Sequence, residues 1–127
     1  MRISQKQLES VTSLPGNVRY EHFVKMAADR QAVWGLHQDG CALAQGNDGV
    51  TVFPLWSAPE YAEVCALNEW QGFEPREITL QALFEDLLPR LEVDKFLPGV
   101  FYTPTNKGVT PTIRQLIDDL NRELEKY

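Results

Sequence analysis

Apolar residues recur at helical spacing through Tyr20, Phe23, Val24 and Ala27, then from Ala32 gather in short runs separated by turn residues, so the chain changes period there. A first helix is predicted from Ser4, with Ser4 as N-cap, Gln7 completing a capping box and Ile3 and Leu8 as a hydrophobic staple, running to about Thr12. Leu14-Pro15-Gly16-Asn17 breaks the chain before the second helix. Val33 to His37, Cys41 to Gln45 and Val50 to Phe53 read as three strands of a meander, turned at Asp39-Gly40 and Gly46-Asn47-Asp48-Gly49. Pro54 is expected to end the third strand, because proline cannot donate to a ladder.

Ser57-Ala58-Pro59-Glu60 has the form of a second capping box, with Ser57 as cap and Glu60 reaching back, opening a helix through Leu67 and leaving Trp70 in a loop that ends at Gly72. Pro75 to Ile78 is a short strand, and Thr79 caps a helix carrying Leu80, Leu83, Phe84, Leu87, Leu88 and Leu91, with a kink or early stop expected at Pro89. Phe96 to Tyr102 is the last strand, its Pro98-Gly99 pointing to an edge or a bulge. Thr110 and Pro111 are expected to open the final helix, whose stripe is Ile113, Leu116, Ile117, Leu120, Leu124 and Tyr127. The order is α-α-β-β-β-α-β-α-β-α. It implies an α+β fold: a mixed, mainly antiparallel sheet of about five strands, the meander plus two later strands, with two helices at the N-terminus and one at the C-terminus packed against it.

A length of 127 residues fits one globular domain, with 43% hydrophobic and 24% charged residues leaving no sign of disorder, repeat or low complexity. The net charge of −6 and singly scattered Lys and Arg argue against nucleic acid, and the acidic surface allows a basic protein partner. With no signal-like N-terminus and no long apolar run, the expectation is a cytoplasmic chain without a membrane anchor, monomeric or homodimeric. Cys41 and Cys65 lack neighbours at metal-ligand spacing and read as reduced packing residues, so no metal and no cofactor are expected.

Acid-base chemistry needs paired groups, and neither His22 nor His37 has a Ser or Cys placed by sequence as a nucleophile. Asp39, Asn47 and Asp48 lack calcium-loop spacing, and Gly35, Gly40, Gly46 and Gly49 match no phosphate-binding loop. Glu60 beside Trp56 and Tyr61 has the setting of a general base, but the cap explains it more simply. The aromatic set Trp34, Phe53, Trp56, Tyr61, Trp70 and Phe73 is then the main remaining feature. Trp34, alternating in a strand, is expected in the core; Trp56 and Trp70, in loops around a short helix, are expected partly exposed. Trp56, Glu60, Tyr61 and Trp70 are the candidate binding residues, with no catalytic set.

The runs Val33-Trp34-Gly35-Leu36, Phe53-Pro54-Leu55-Trp56, Pro59-Glu60-Tyr61-Ala62 and Gly72-Phe73-Glu74-Pro75 resemble the bacterial family known as domain of unknown function 2750, as do Leu14-Pro15, Arg19-Tyr20 and Leu88-Pro89. That resemblance implies no activity, cofactor or catalytic residue. The element order also looks loosely like the N-terminal domain of the SseB-like proteins, which implies secretion-linked or interaction roles. The functional expectation is a non-enzymatic protein-interaction module, adaptor or inhibitor-like. The alternative is a small-molecule sensor or enzyme with a pocket beside the Ser57 to Leu67 helix.

Overall fold

A computed structural model describes residues 3–46 and 49–126; Asn47 and Asp48 of the second turn and Tyr127 of the last stripe lie outside the described residues. The fold is α+β, with its helices and strands in the expected order. Helix α1 is Gln5–Thr12, capped by Ser4, whose Oγ accepts the Gln7 N–H at 3.1 Å. Ile3 and Leu8 both pack on the core. The break is shorter than expected. Pro15 itself is the N-cap of α2, Gly16–Arg30, its carbonyl accepting from Val18 and Arg19.

Strand β1 is Ala32–His37, β2 is Ala44–Gln45 and β3 is Thr51–Leu55. Helix α3 is Pro59–Glu63, and a 3-10 turn over Asn68–Trp70 leads to β4, Glu74–Thr79. Helix α4 covers 80–94 and contains a wide π turn at Leu83–Leu87. Strand β5 is Leu97–Val100 and α5 is Ile113–Leu124.

The strands divide into two sheets. β1 pairs antiparallel with β4 from Ala32 opposite Thr79 to His37 opposite Glu74. β3 lies between β2, antiparallel, and β5, parallel. The sheets meet at one bridge, where Trp34 and Trp56 exchange both backbone hydrogen bonds at 2.8 Å. Pro54 does not end β3, as expected from its missing donor; it lies inside the strand opposite Gly99. Backbone groups alternate sides along a strand, so with Leu55 bonded towards Phe101 and Trp56 towards Trp34, the Pro54 nitrogen faces β1 and β2. Its missing donor falls in the gap between the Val52–Ala44 pair and the Trp56–Trp34 bridge. The meander's first link is accordingly short: Cys41 meets His37 in a single bridge and the regular part of β2 is confined to Ala44–Gln45.

Pro89 produces neither an early stop nor a sharp break. In an α-helix its ring would press on the Glu85 carbonyl. The π turn widens the backbone there, with Leu88 N–H bonded to the Leu83 carbonyl, and the helix continues to Asp94. Helix α5 starts later than Thr110 and Pro111 suggested. Val109 is still paired with Val100 in extended conformation and Pro111 is buried, so Thr112 becomes the cap, its Oγ1 accepting from Gln115 at 3.0 Å.

The core lies between the sheets and the helices. It joins Phe23 and Ala27 of α2, Val33 and Leu36 of β1, Leu55 at the end of β3 with Trp56 just after it, and Leu116 and Leu120 of α5. Arg19 is buried among them. Its guanidinium donates to the carbonyls of Leu14, Phe101 and Lys107 at 2.6, 3.3 and 3.3 Å, tying α2 to the segment after β5. Burial without a carboxylate partner lowers its pKa from the ordinary guanidinium value.

Candidate functional site

Phe101 leaves β5 with φ of 64°, a left-handed conformation unusual for an aromatic residue. Its N–H is bonded to Leu55, its carbonyl to Arg19, and its buried ring packs against Tyr61 at 4.8 Å and a tilt of 47°, so the surroundings hold the strain. This turn delivers Tyr102 to the end of β3. The Tyr102 carbonyl accepts the Trp56 indole N–H at 2.8 Å and the Cys65 thiol at 3.2 Å. The Tyr102 ring lies against Gly99 and Gly108, where any Cβ would collide with it; at Gly99 a Cβ would also meet Val52.

Trp70 closes over this base. Its ring stands edge-on to Trp56 at 6.1 Å and 88°, and tilted to Tyr102 at 6.2 Å and 54°. The 3-10 turn holds it in place, with Trp70 N–H on the Leu67 carbonyl and Phe73 N–H on the Trp70 carbonyl. Between Trp70 and the 102–107 segment lies a cleft of about 370 Å³, which reaches the Ala44–Gln45 strand and Leu67. Leu67, in its lining, and Leu43, next in sequence to lining residue Ala44, are exposed apolar residues. Opposite, a turn is fixed by Thr103 Oγ1 accepting the Asn106 N–H at 3.0 Å. Glu69 and Lys107 are the charged residues of the cleft's lining, beside the polar side chains of Gln45, Asn68, Thr103, Thr105 and Asn106.

Of the candidate binding residues, the structure brings Trp56 and Trp70 together and leaves Glu60 and Tyr61 elsewhere. Trp70 is half-buried as expected, but Trp56 is fully buried, because the later Tyr102 segment covers it and takes its N–H. Trp34, expected in the core, is half-buried. Tyr61 is buried against Phe101 and His22, with its hydroxyl unpartnered and its pKa raised, chiefly by burial. Glu60 is not a cap. The N-cap of α3 is Ala58, one residue later than the motif suggests, which places Glu60 too early to reach back. Its carboxylate instead accepts the Ile3 N–H at 3.2 Å. Ser57 Oγ is buried and unpartnered, and α3 ends at Glu63 rather than Leu67.

The remaining chemistry is sparse. Cys65 is a packing residue as expected, its thiol pKa pushed up to about 12 by burial. Cys41 is free but exposed, contrary to the packing expectation, because the chain at that point has left the ladder except for its bridge to His37. That bridge supplies a cysteine neighbour for His37 that sequence spacing did not reveal. The flanking bonds Ala42 N–H to Leu36 and Gln38 N–H to Gly40 make it a close, non-hydrogen-bonded pair. Among the described residues no hydrogen bond joins the two side chains. His22 has its Nε2 buried without a partner, and its pKa is lowered by burial and then by Arg30 and Lys25. Among the described residues no group of His, Cys, Asp and Glu is arranged to hold a metal, and no helix is long and apolar enough to cross a membrane.

The signal that sequence reading missed is Tyr102, the residue that completes the cleft. Its only local sign was the Pro98-Gly99 pair just before it, the second of which is the glycine its ring needs. No curated protein matches the chain. The family model described as protein of unknown function (DUF2750) matches residues 20–120, and the chain belongs to that family.

Proposed function

We propose that the chain is a protein-interaction module without catalytic activity of its own, an adaptor or inhibitor-like partner, and that its contact surface is the Trp70 cleft. The observation that carries this reading is Trp70 itself: a half-buried indole wedged edge-on against a fully buried one, facing a cleft and flanked by exposed Leu67. A preformed aromatic anchor loses little freedom on binding, which is why Trp dominates interface energetics. Two free thiols are in keeping with a cytoplasmic setting. The partner is a protein, or a second copy of the chain. The cleft also supports the alternative of a small-molecule sensor, since its 370 Å³ lies at the small end of ligand-site volumes.

Photocrosslinking separates these readings. A photoreactive residue placed at Leu67, 52% exposed, should give an adduct of discrete mass, and one at Val93, 81% exposed and not among the residues lining the cleft, should not. An adduct of twice the chain mass would identify self-association. Equal labelling from both positions, or none from position 67, would refute the cleft as a protein contact.

A further inference from the structure

A different cavity, of about 480 Å³, lies where α4 passes over the β1–β4 sheet and β3, and it shares no lining residue with the Trp70 cleft. Leu36 and Phe53, both buried, and half-buried Ile78 form its apolar floor. Gly35 keeps the floor open: a Cβ there would already touch Phe53 and Ile78 at 3.7 and 3.8 Å. Four exposed charges surround it, Arg76 from β4 with Glu85, Asp86 and Arg90 from α4.

These charges do not neutralise one another. Asp86 and Arg90 are four apart, a spacing at which side chains can pair across one turn of a regular α-helix. Arg114 and Asp118 on α5 do so at 3.6 Å. The π turn at Leu83–Leu87 lies at the start of the Asp86–Arg90 interval and changes the phase of the helix. Among the described residues, the ion pairs formed all lie between Arg114 and Lys126, on α5 and just beyond its end, and none involves Arg76, Glu85, Asp86 or Arg90. In the larger groove between α2 and α5 the α5 wall is neutralised, with Asp119 taken by Tyr20 and Arg122 and Glu123 by Lys126, while Glu21 and Lys25 of α2 form no ion pair among the described residues.

We propose that this cavity binds a free amino acid with an apolar side chain, its carboxylate on Arg76 and Arg90, its ammonium against Glu85 and Asp86, and its side chain on Leu36, Phe53 and Ile78. The charge pattern selects this class. A simple anion would confront two carboxylates and a simple cation two guanidiniums, while a zwitterion meets both signs. The volume lies within the range of small-molecule sites.

Cys41 lines the same cavity and reports on it. It is exposed, whereas Cys65 is buried with its thiol pKa near 12, so iodoacetamide at neutral pH reads Cys41 in the native protein. L-Leucine or L-phenylalanine should slow that alkylation saturably, and Arg76→Ala with Arg90→Ala should weaken the protection by on the order of ten-fold. Leucinamide, N-acetyl-leucine and glycine, which each lack one of the required parts, should protect poorly. No protection at about 10 mM leucine, a concentration that would detect even millimolar affinity, would overturn the proposal. Equal protection by N-acetyl-leucine would also overturn it, in favour of a peptide C-terminus, and equal protection by leucinamide in favour of a simple cation.

Discussion

His22 is the residue whose environment gives the clearest pH signature. Burial, Arg30 and Lys25 all disfavour its charged form, so its pKa lies below the ordinary 6.5 that the unfolded chain retains. Between those two values the unfolded state holds a proton that the native state refuses. Stability is therefore full above the unfolded value and falls as pH drops through it. Urea unfolding of the wild type should show a lower midpoint at about pH 5.5 than at about pH 7.5, and His22→Gln should reduce that difference. An undiminished difference in the variant would assign the acid sensitivity elsewhere.

At the scale of elements, the caps separate what is local from what is not. Thr79 and Thr112 each accept an N–H three residues on, from Ala82 and Gln115, whereas Ser57 is buried without a partner. Thr79→Ala and Thr112→Ala should each cost about 1 kcal/mol. Ser57→Ala removes an unsatisfied hydroxyl and should be neutral within about 0.5 kcal/mol, or stabilising. If chemical denaturation gave Ser57→Ala the larger loss, the assigned start of α3 would be wrong. The same contrast explains what sequence could reveal. Ser4 and Thr79 were legible because a cap and its donor lie within one turn. The Ser57 box failed by one residue, because α3 starts where the Trp56–Trp34 bridge and buried Ala58 leave the chain, and no short motif encodes that. The strands were legible from turns and β-branched runs; their division into two sheets was not, since the pairings of β1 with β4 and of β3 with β5 join segments far apart in the sequence. Trp56 was misplaced for a related reason: its cover, Tyr102, arrives from 46 residues away.

Across the whole molecule, Arg19 links the helical layer to the cleft. It is buried and does not line the cleft, yet it holds the Phe101 and Lys107 carbonyls at either end of the segment that forms one wall. Lysine keeps the charge, but a single ammonium cannot span three carbonyls contributed by Leu14, Phe101 and Lys107. Arg19→Lys should therefore lose about 2–3 kcal/mol in urea unfolding. It should also weaken partner binding while the protein remains folded, because the wall loses its tie. Unchanged stability would show that the guanidinium bonds are dispensable.

The central claim is that Trp70 and Leu67 form a protein contact surface, and the most direct test is the affinity of the crosslinked partner by calorimetry for wild type, Trp70→Ala, Leu67→Ser and Val93→Ser. Leu67 and Val93 are both exposed, so their substitution leaves the core intact. An interface anchor is typically worth 2 kcal/mol or more, so Trp70→Ala should raise Kd by about 30-fold. Leu67→Ser should weaken binding to a smaller extent, and Val93→Ser should leave it unchanged. Wild-type affinity in both Trp70→Ala and Leu67→Ser would contradict the account.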